Sequence, residues 1–106
     1  MLKHIKMGLL NDYYGGLLTD YQQKVVRGYY DNDMSLNEIA LELSVSRQAV
    51  FDTLKRAEEK LINFEAKLGL VRKISSLSSA IEQEMAAADD NSKKLLGKIL
   101  EQIKEI

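Results

Sequence analysis

The chain has 106 residues, with 15 basic and 16 acidic side chains, a formal net charge of −1, and neither cysteine nor proline. That length holds one modest hydrophobic core with a helical appendage and excludes a pair of enzymatic domains, while the missing thiols exclude disulfides, a thiolate zinc site and a cysteine nucleophile. A near-neutral charge supplies no global attraction to polyphosphate, so any affinity for nucleic acid has to come from a local basic patch.

Apolar residues at Leu2, Ile5, Leu9, Leu10, Tyr13 and Tyr14 predict a first helix over 1–14. It should stop at Gly15-Gly16, where left-handed backbone is easily adopted. Lys3, His4 and Lys6 lie among scattered apolar residues, but no uninterrupted apolar run follows, and no segment is long enough to span a bilayer. The expectation is a soluble, cytoplasmic protein without membrane insertion.

Thr19 followed three residues later by Gln22 is a capping box, which starts a second helix near Asp20. Its stripe runs through Tyr21, Val25 or Val26, Tyr29 and Tyr30 and breaks at Asp31-Asn32-Asp33. Tyrosines at helical steps of four are read as packing rather than as a base-stacking platform, which usually sits on an exposed sheet. Asp31, Asp33, Ser35 and Glu42 fall at the ligand offsets of a calcium loop, but Leu36 stands where that loop needs glycine.

Ser35 and Glu38 form a second capping box, so a helix starts in the middle of that would-be loop. Ile39, Ala40 and Leu43 share one face of it, and the pattern ends at Ser44-Val45-Ser46, two serines that compete for backbone hydrogen bonds. Val45 is expected to plug the turn into the core. Ser46 caps a following helix whose apolar stripe is Val50, Leu54, Ala57 and Leu61, leaving Arg47, Gln48, Phe51, Asp52 and Lys55 on the outer face. Short helix, small residue, capped turn and longer helix, in that order, make a helix-turn-helix.

The recognition helix should be long. Val50, Leu54, Ala57, Leu61, Phe64 and Leu68 recur at alternating steps of four and three, a heptad seam that ends at Gly69. Beyond it Ile74, Leu77, Ile81 and Met85 keep a similar rhythm across Ser75, Ser76, Ser78 and Ser79, where a bend is expected. Asp89-Asp90-Asn91-Ser92 interrupts the pattern, and a last helix carries Leu95, Leu96, Ile99, Leu100, Ile103 and Ile106. This reading divides the chain into a helix-turn-helix domain at 1–69 and a helical extension at 70–106. The seam at Leu54, Leu61 and Leu68 and the surplus face at Ile99 and Ile103 predict a homodimer formed through the extension.

With D-Y-Y-G-G-L-L-T at Asp12 to Thr19, S-L-N-E-I-A at Ser35 to Ala40 and S-R-Q-A-V-F-D at Ser46 to Asp52, the chain resembles the YlxM family of bacterial helix-turn-helix proteins. The resemblance covers roughly Leu9 to Leu70. It implies an all-α fold similar to region 4 of sigma-70-type factors, akin to winged-helix DNA-binding domains without the wing. It also implies an accessory or regulatory part in the signal recognition particle pathway, through the particle's GTPase or its RNA. By the same resemblance Arg47, Gln48 and Asp52 stand where region 4 reads bases, and Ser46 where its capping residue meets phosphate. Asp52 replaces a neutral amide there, and Ala49 and Phe51 replace arginines.

Two functional classes follow. In the first, the helix from Arg47 enters the major groove of DNA, Arg47 and Gln48 reach base edges, and Ser46, Lys24, Arg27 and Lys55 hold phosphates. In the second, the same face docks protein or RNA with Phe51 as an anchor between Arg47 and Lys55, and binds no DNA. An enzyme is not expected: His4 is the only histidine, without an acidic partner at a useful spacing, and Gly15-Gly16 lacks the lysine and hydroxyl of a phosphate loop. No cofactor or metal is expected.

Overall fold

Four helices start at a residue whose side chain replaces a missing backbone partner, and their placement sets the architecture. In the computed structural model, which describes residues 2–106, Thr19 precedes α2 (Asp20–Val26), Ser35 precedes α3 (Leu36–Leu43), Ser46 precedes α4 (Arg47–Leu68) and Asp89 precedes α6 (Asp90–Lys104). Both capping boxes form, Thr19 with Gln22 and Ser35 with Glu38. With α1 (Lys3–Tyr14) and α5 (Leu70–Ala87) the chain is all-α, and no strand occurs among the described residues. It falls into two compact units, one ending at Gly69 and the other running from Leu70 to Ile106.

In the first unit α1, α2 and α3 all pack on α4. The inner face of α1 is Met7, Leu10, Asn11 and Tyr14, whereas Leu2 and Ile5 are exposed and Leu9 and Tyr13 are half-buried. Apolar residues lie on several sides of α1, so periodicity alone did not select the stripe that meets α4. Gly15 is right-handed (φ −56°), and the chain continues into a tight turn over Gly15–Leu17. Glycine serves space there rather than a left-handed turn: a Cβ at Gly15 would lie 2.6 Å from Oδ1 of the buried Asn11.

After Val26 the backbone widens into a π-type turn over Arg27–Asp31, with Asn32 N–H donating to the Arg27 carbonyl. The wider turn slips the phase of the stripe. Val25, Val26 and Tyr30 are buried, Tyr29 is half-buried and Tyr21 is exposed. Gly28 lies against α3, its position for a Cβ 3.2 Å from Ile39 Cγ1.

The helix-turn-helix turn is a Schellman motif: Val45 N–H donates to the Ala40 carbonyl at 3.0 Å and Ser44 N–H to the Leu41 carbonyl at 3.4 Å. Ser44 takes the left-handed conformation (φ 57°, ψ 44°) that such a stop requires. Val45 is 36% exposed and does not plug the core; its part is the amide that closes α3. The core is closed instead by Ile39, Ala40, Val50, Leu54, Ala57 and Leu61, all buried.

The seam on α4 is consumed inside its own unit, since Leu54 and Leu61 are buried and Leu68 is exposed. It therefore offers no second chain the repeating face that the dimer expectation used. Gly69, left-handed (φ 64°), stops the helix, its N–H donating to the Glu65 carbonyl at 2.8 Å.

The second unit is a helical hairpin. α5 runs unbroken from Leu70 to Ala87, so the serines do not interrupt it, and the Asp89 carboxylate accepts from Ser92 N–H at 2.8 Å to start α6. Ile81, Leu100 and Ile103 form its core with Ile74, Met85 and Leu96 around them. Leu77, Leu95, Ile99 and Ile106 stay exposed; Ile103, expected on the surplus face, is inside.

Candidate nucleic-acid interface

The first turns of α4 carry the outer face, and the cap sets where it begins. Ser46 Oγ accepts from Ala49 N–H at 3.0 Å, leaving its own hydroxyl proton to donate outward. Because Val50, Leu54 and Ala57 are drawn into the core, Arg47, Gln48, Phe51, Asp52 and Lys55 are all exposed, as the spacing predicts. Two pairs organise them. Gln48 Nε2 donates to Asp52 Oδ1 at 3.0 Å, and the Lys55 ammonium lies 5.9 Å from the centroid of the Phe51 ring. Both pairs join residues one helical turn apart, the spacing at which side chains on a helix meet.

Phe51 and Lys55 also form one wall of a cleft of about 290 Å³ whose other walls are Lys3, His4, Tyr29, Tyr30, Leu36, Leu54 and Glu58. His4 lies tilted against Tyr29 and edge-on against Tyr30, with ring centroids 5.6 and 4.6 Å apart. Its Nε2 lies 3.8 Å from a carboxylate oxygen of Asp33, an acidic neighbour that sequence spacing did not disclose. Lys3 and His4 are thus part of this surface. No local signal marked them, because their partners come from distant parts of the chain.

At the base of the cleft Glu58 is buried, not one of the solvated carboxylates that helical spacing suggests. It accepts a hydrogen bond from the Tyr30 hydroxyl and pairs with Lys3 at 3.5 Å. Burial first, and then the hydrogen bond to Glu58 and its charge, push the Tyr30 phenol well above its ordinary range.

The other two predicted phosphate ligands sit elsewhere. Lys24 on α2 and Arg27 on the π-type turn are exposed and line a separate cleft of about 480 Å³ with Gly28, Asn32, Met34, Ile39, Leu43 and the acidic Glu42, but no residue of α4. Arg47 and Lys55 lie on α4, which Ser46 caps; Lys24 and Arg27 are not gathered with them in one cavity.

Among the described residues there is no group of three or more His, Asp or Glu side chains arranged to hold a metal ion, and no helix long and apolar enough to cross a membrane. At Asp31 to Glu42 the backbone enters α3 at Leu36 and wraps no cation loop.

The family model UPF0122, described as a helix-turn-helix protein, YlxM / p13 like, matches residues 1–104. A UPF0122 protein of Desulforamulus reducens is 46% identical over 112 residues, covering 95% of this chain and 96% of that protein. One from Caldanaerobacter subterraneus subsp. tengcongensis is 52% identical over 77 residues, covering 73% of this chain and 66% of that protein. One from Shouchella clausii is 37% identical over 105 residues and covers 98% and 96% respectively. With its turn, its caps and nearly its whole length matched, the chain belongs to the UPF0122 family of YlxM / p13 like helix-turn-helix proteins.

Proposed function

We propose that this is a non-enzymatic regulatory or accessory protein of the cytoplasm whose α4 face docks nucleic acid, with duplex DNA as the ligand. One observation carries the reading: a capped helix held on its inner side by a closed core presents Arg47, Gln48, Phe51, Asp52 and Lys55 together to solvent. An α-helix with such a face fits the major groove, where Arg47 and Gln48 reach base edges and the Ser46 hydroxyl and Lys55 supply the phosphate-side contacts. Lys24 and Arg27 are a second, flanking phosphate contact in this reading. The measurement is titration of the full chain into short duplexes at low salt. Arg47→Ala should cost about 1–3 kcal/mol and relax one base position, whereas Lys55→Ala should weaken every sequence alike and flatten the salt dependence. Absence of binding at low salt would end the reading.

A second reading has its own support in Phe51, 41% exposed beneath a lysine. Exposed aromatic surface beside Arg and Lys suits an adaptor that docks on the signal recognition particle's GTPase or RNA and leaves DNA alone. Capture of either from lysate by the wild type and its loss in Phe51→Ala would favour this reading.

The hairpin at 70–106 is the proposed homodimer contact. Support comes from its size, below what a single two-helix unit without disulfide or metal usually sustains, and from Leu77, Leu95 and Ile99 left in solvent. A monomeric mass by light scattering at micromolar concentration would reject it.

A further inference from the structure

Asp52 is out of place on a surface meant only for phosphates. It lies exposed between Gln48 and Lys55 on the outer face of α4, where a carboxylate directed at the DNA backbone would repel it. Its surroundings instead prepare it for a donor. The Gln48 side-chain amide donates to Asp52 Oδ1 at 3.0 Å, which restrains an exposed carboxylate that still has acceptor capacity on its second oxygen. The Gln48 carbonyl oxygen is an acceptor as well, so the centre of this face asks for N–H groups.

Major-groove edges answer that demand unequally. Guanine shows N7 and O6 and thymine shows O4, all acceptors that a carboxylate rejects. Adenine shows an amino group, but its N7 acceptor lies beside it. Cytosine alone shows an amino group without a neighbouring acceptor on the same base.

We propose that Asp52 is the specificity-determining residue of the α4 face, accepting from the N4 amino group of a cytosine in the major groove, and that Gln48 positions it. The proposal rests on the reading of α4 as a duplex-docking helix. It gives the acidic residue a role that a purely electrostatic interface would not need: it costs general affinity and returns discrimination.

The test is enrichment of randomised duplexes by the full chain at about 50 mM salt, where backbone contacts are strong, followed by sequencing of the retained pools. The wild-type pool should show one position dominated by cytosine. Asp52→Asn should lose about tenfold of that preference and move the position towards adenine, because an amide matches the N6 and N7 pair. Gln48→Ala should keep cytosine with a weaker preference, and Arg47→Ala should leave that position as it is while relaxing another. A pool from Asp52→Asn that matches wild type base by base, or a wild-type pool retained without base preference, overturns the assignment of Asp52 and leaves duplex docking standing. Failure to retain any duplex overturns the docking reading and this proposal with it.

Discussion

Tyr30→Phe removes one hydroxyl and should cost the first unit about 2 kcal/mol, because that hydroxyl is a principal partner of a buried carboxylate. Glu58 is 8% exposed, and its ion-pair partner, Lys3, has a side chain that is itself 69% exposed. An exposed ammonium contributes at most about 1 kcal/mol to such a pair. What remains after the substitution is a desolvated charge with a weak companion. For a unit of this size each kcal/mol moves the unfolding midpoint by about 4–8 °C, so a drop of roughly 10 °C is expected by far-UV circular dichroism. A double-mutant cycle with Glu58→Gln should return a coupling of about 1–2 kcal/mol.

The pH dependence supplies a second readout with a definite sign. The Tyr30 phenol is raised in the folded chain, so the fold holds its proton more tightly than the unfolded chain does. Its contribution is complete below the ordinary phenol value of about 10 and falls as pH rises above it. Wild type and Tyr30→Phe should therefore converge in stability as pH climbs beyond that point. A midpoint within about 2 °C of wild type at neutral pH, which for this size is under about 0.5 kcal/mol, refutes the account of Glu58 as dependent on Tyr30.

Three further outcomes can be measured in the same way. Ser44→Gly should stabilise by about 0.5–1 kcal/mol in urea, since glycine takes the left-handed conformation of Ser44 without the Cβ clash. Ser46→Ala should lose about 1 kcal/mol by the same assay, because the Ala49 N–H is left without its cap. The Ser92 backbone N–H holds the Asp89 carboxylate below the usual range, so the stability it lends α6 is present above the ordinary carboxylate value and disappears as pH falls through that range. Helicity followed between about pH 5 and 2 should fall for wild type and show a flatter acid response for Asp89→Asn.

Caps and outward faces were legible in the sequence because they depend on neighbours three or four residues away. Thr19 with Gln22, Ser35 with Glu38 and Ser46 before Ala49 are all made inside one helical turn. The exposure of Arg47, Gln48, Phe51, Asp52 and Lys55 followed equally from the burial of Val50, Leu54 and Ala57. Contacts that close over long sequence separations were not legible. The burial of Glu58 is of this kind: Tyr30, its partner, arrives from a distant segment, and the turn that brings Tyr30 inward is a π-type turn without a local signature. The seam misled for a related reason: Leu54 and Leu61 have heptad spacing, but spacing does not say whether the partner helix is α1, α2, α3 or another molecule. Val45 misled because its amide, not its side chain, is what the turn uses.

The same geometry separates what holds α4 from what α4 presents. The side-chain ties from other elements fall on the middle and later turns: Tyr30 on Glu58, Gln22 on Lys60 at 3.2 Å, and Tyr14 on Glu65 at 2.6 Å. On the first turns the pairs are internal to the helix, Gln48 with Asp52 and Lys55 with Phe51. The polar ties from other elements therefore lie C-terminal to the face, from Glu58 onward, while the face itself runs from Arg47 to Lys55. Substitutions at residues 47–55 that point outward can change binding while leaving the core untouched, since exposed changes away from caps and buried groups usually move stability by no more than about 0.5 kcal/mol. Substitutions at Tyr30 or Glu58 act in the opposite order: they lower stability first, and, because both line the cleft walled by Phe51 and Lys55, they also alter that part of the face. A binding defect in Asp52→Asn or Arg47→Ala with an unchanged unfolding midpoint thus reports on recognition, and one in Tyr30→Phe does so only at a temperature well below its lowered midpoint, since Ser44→Gly offsets at most about half of the loss.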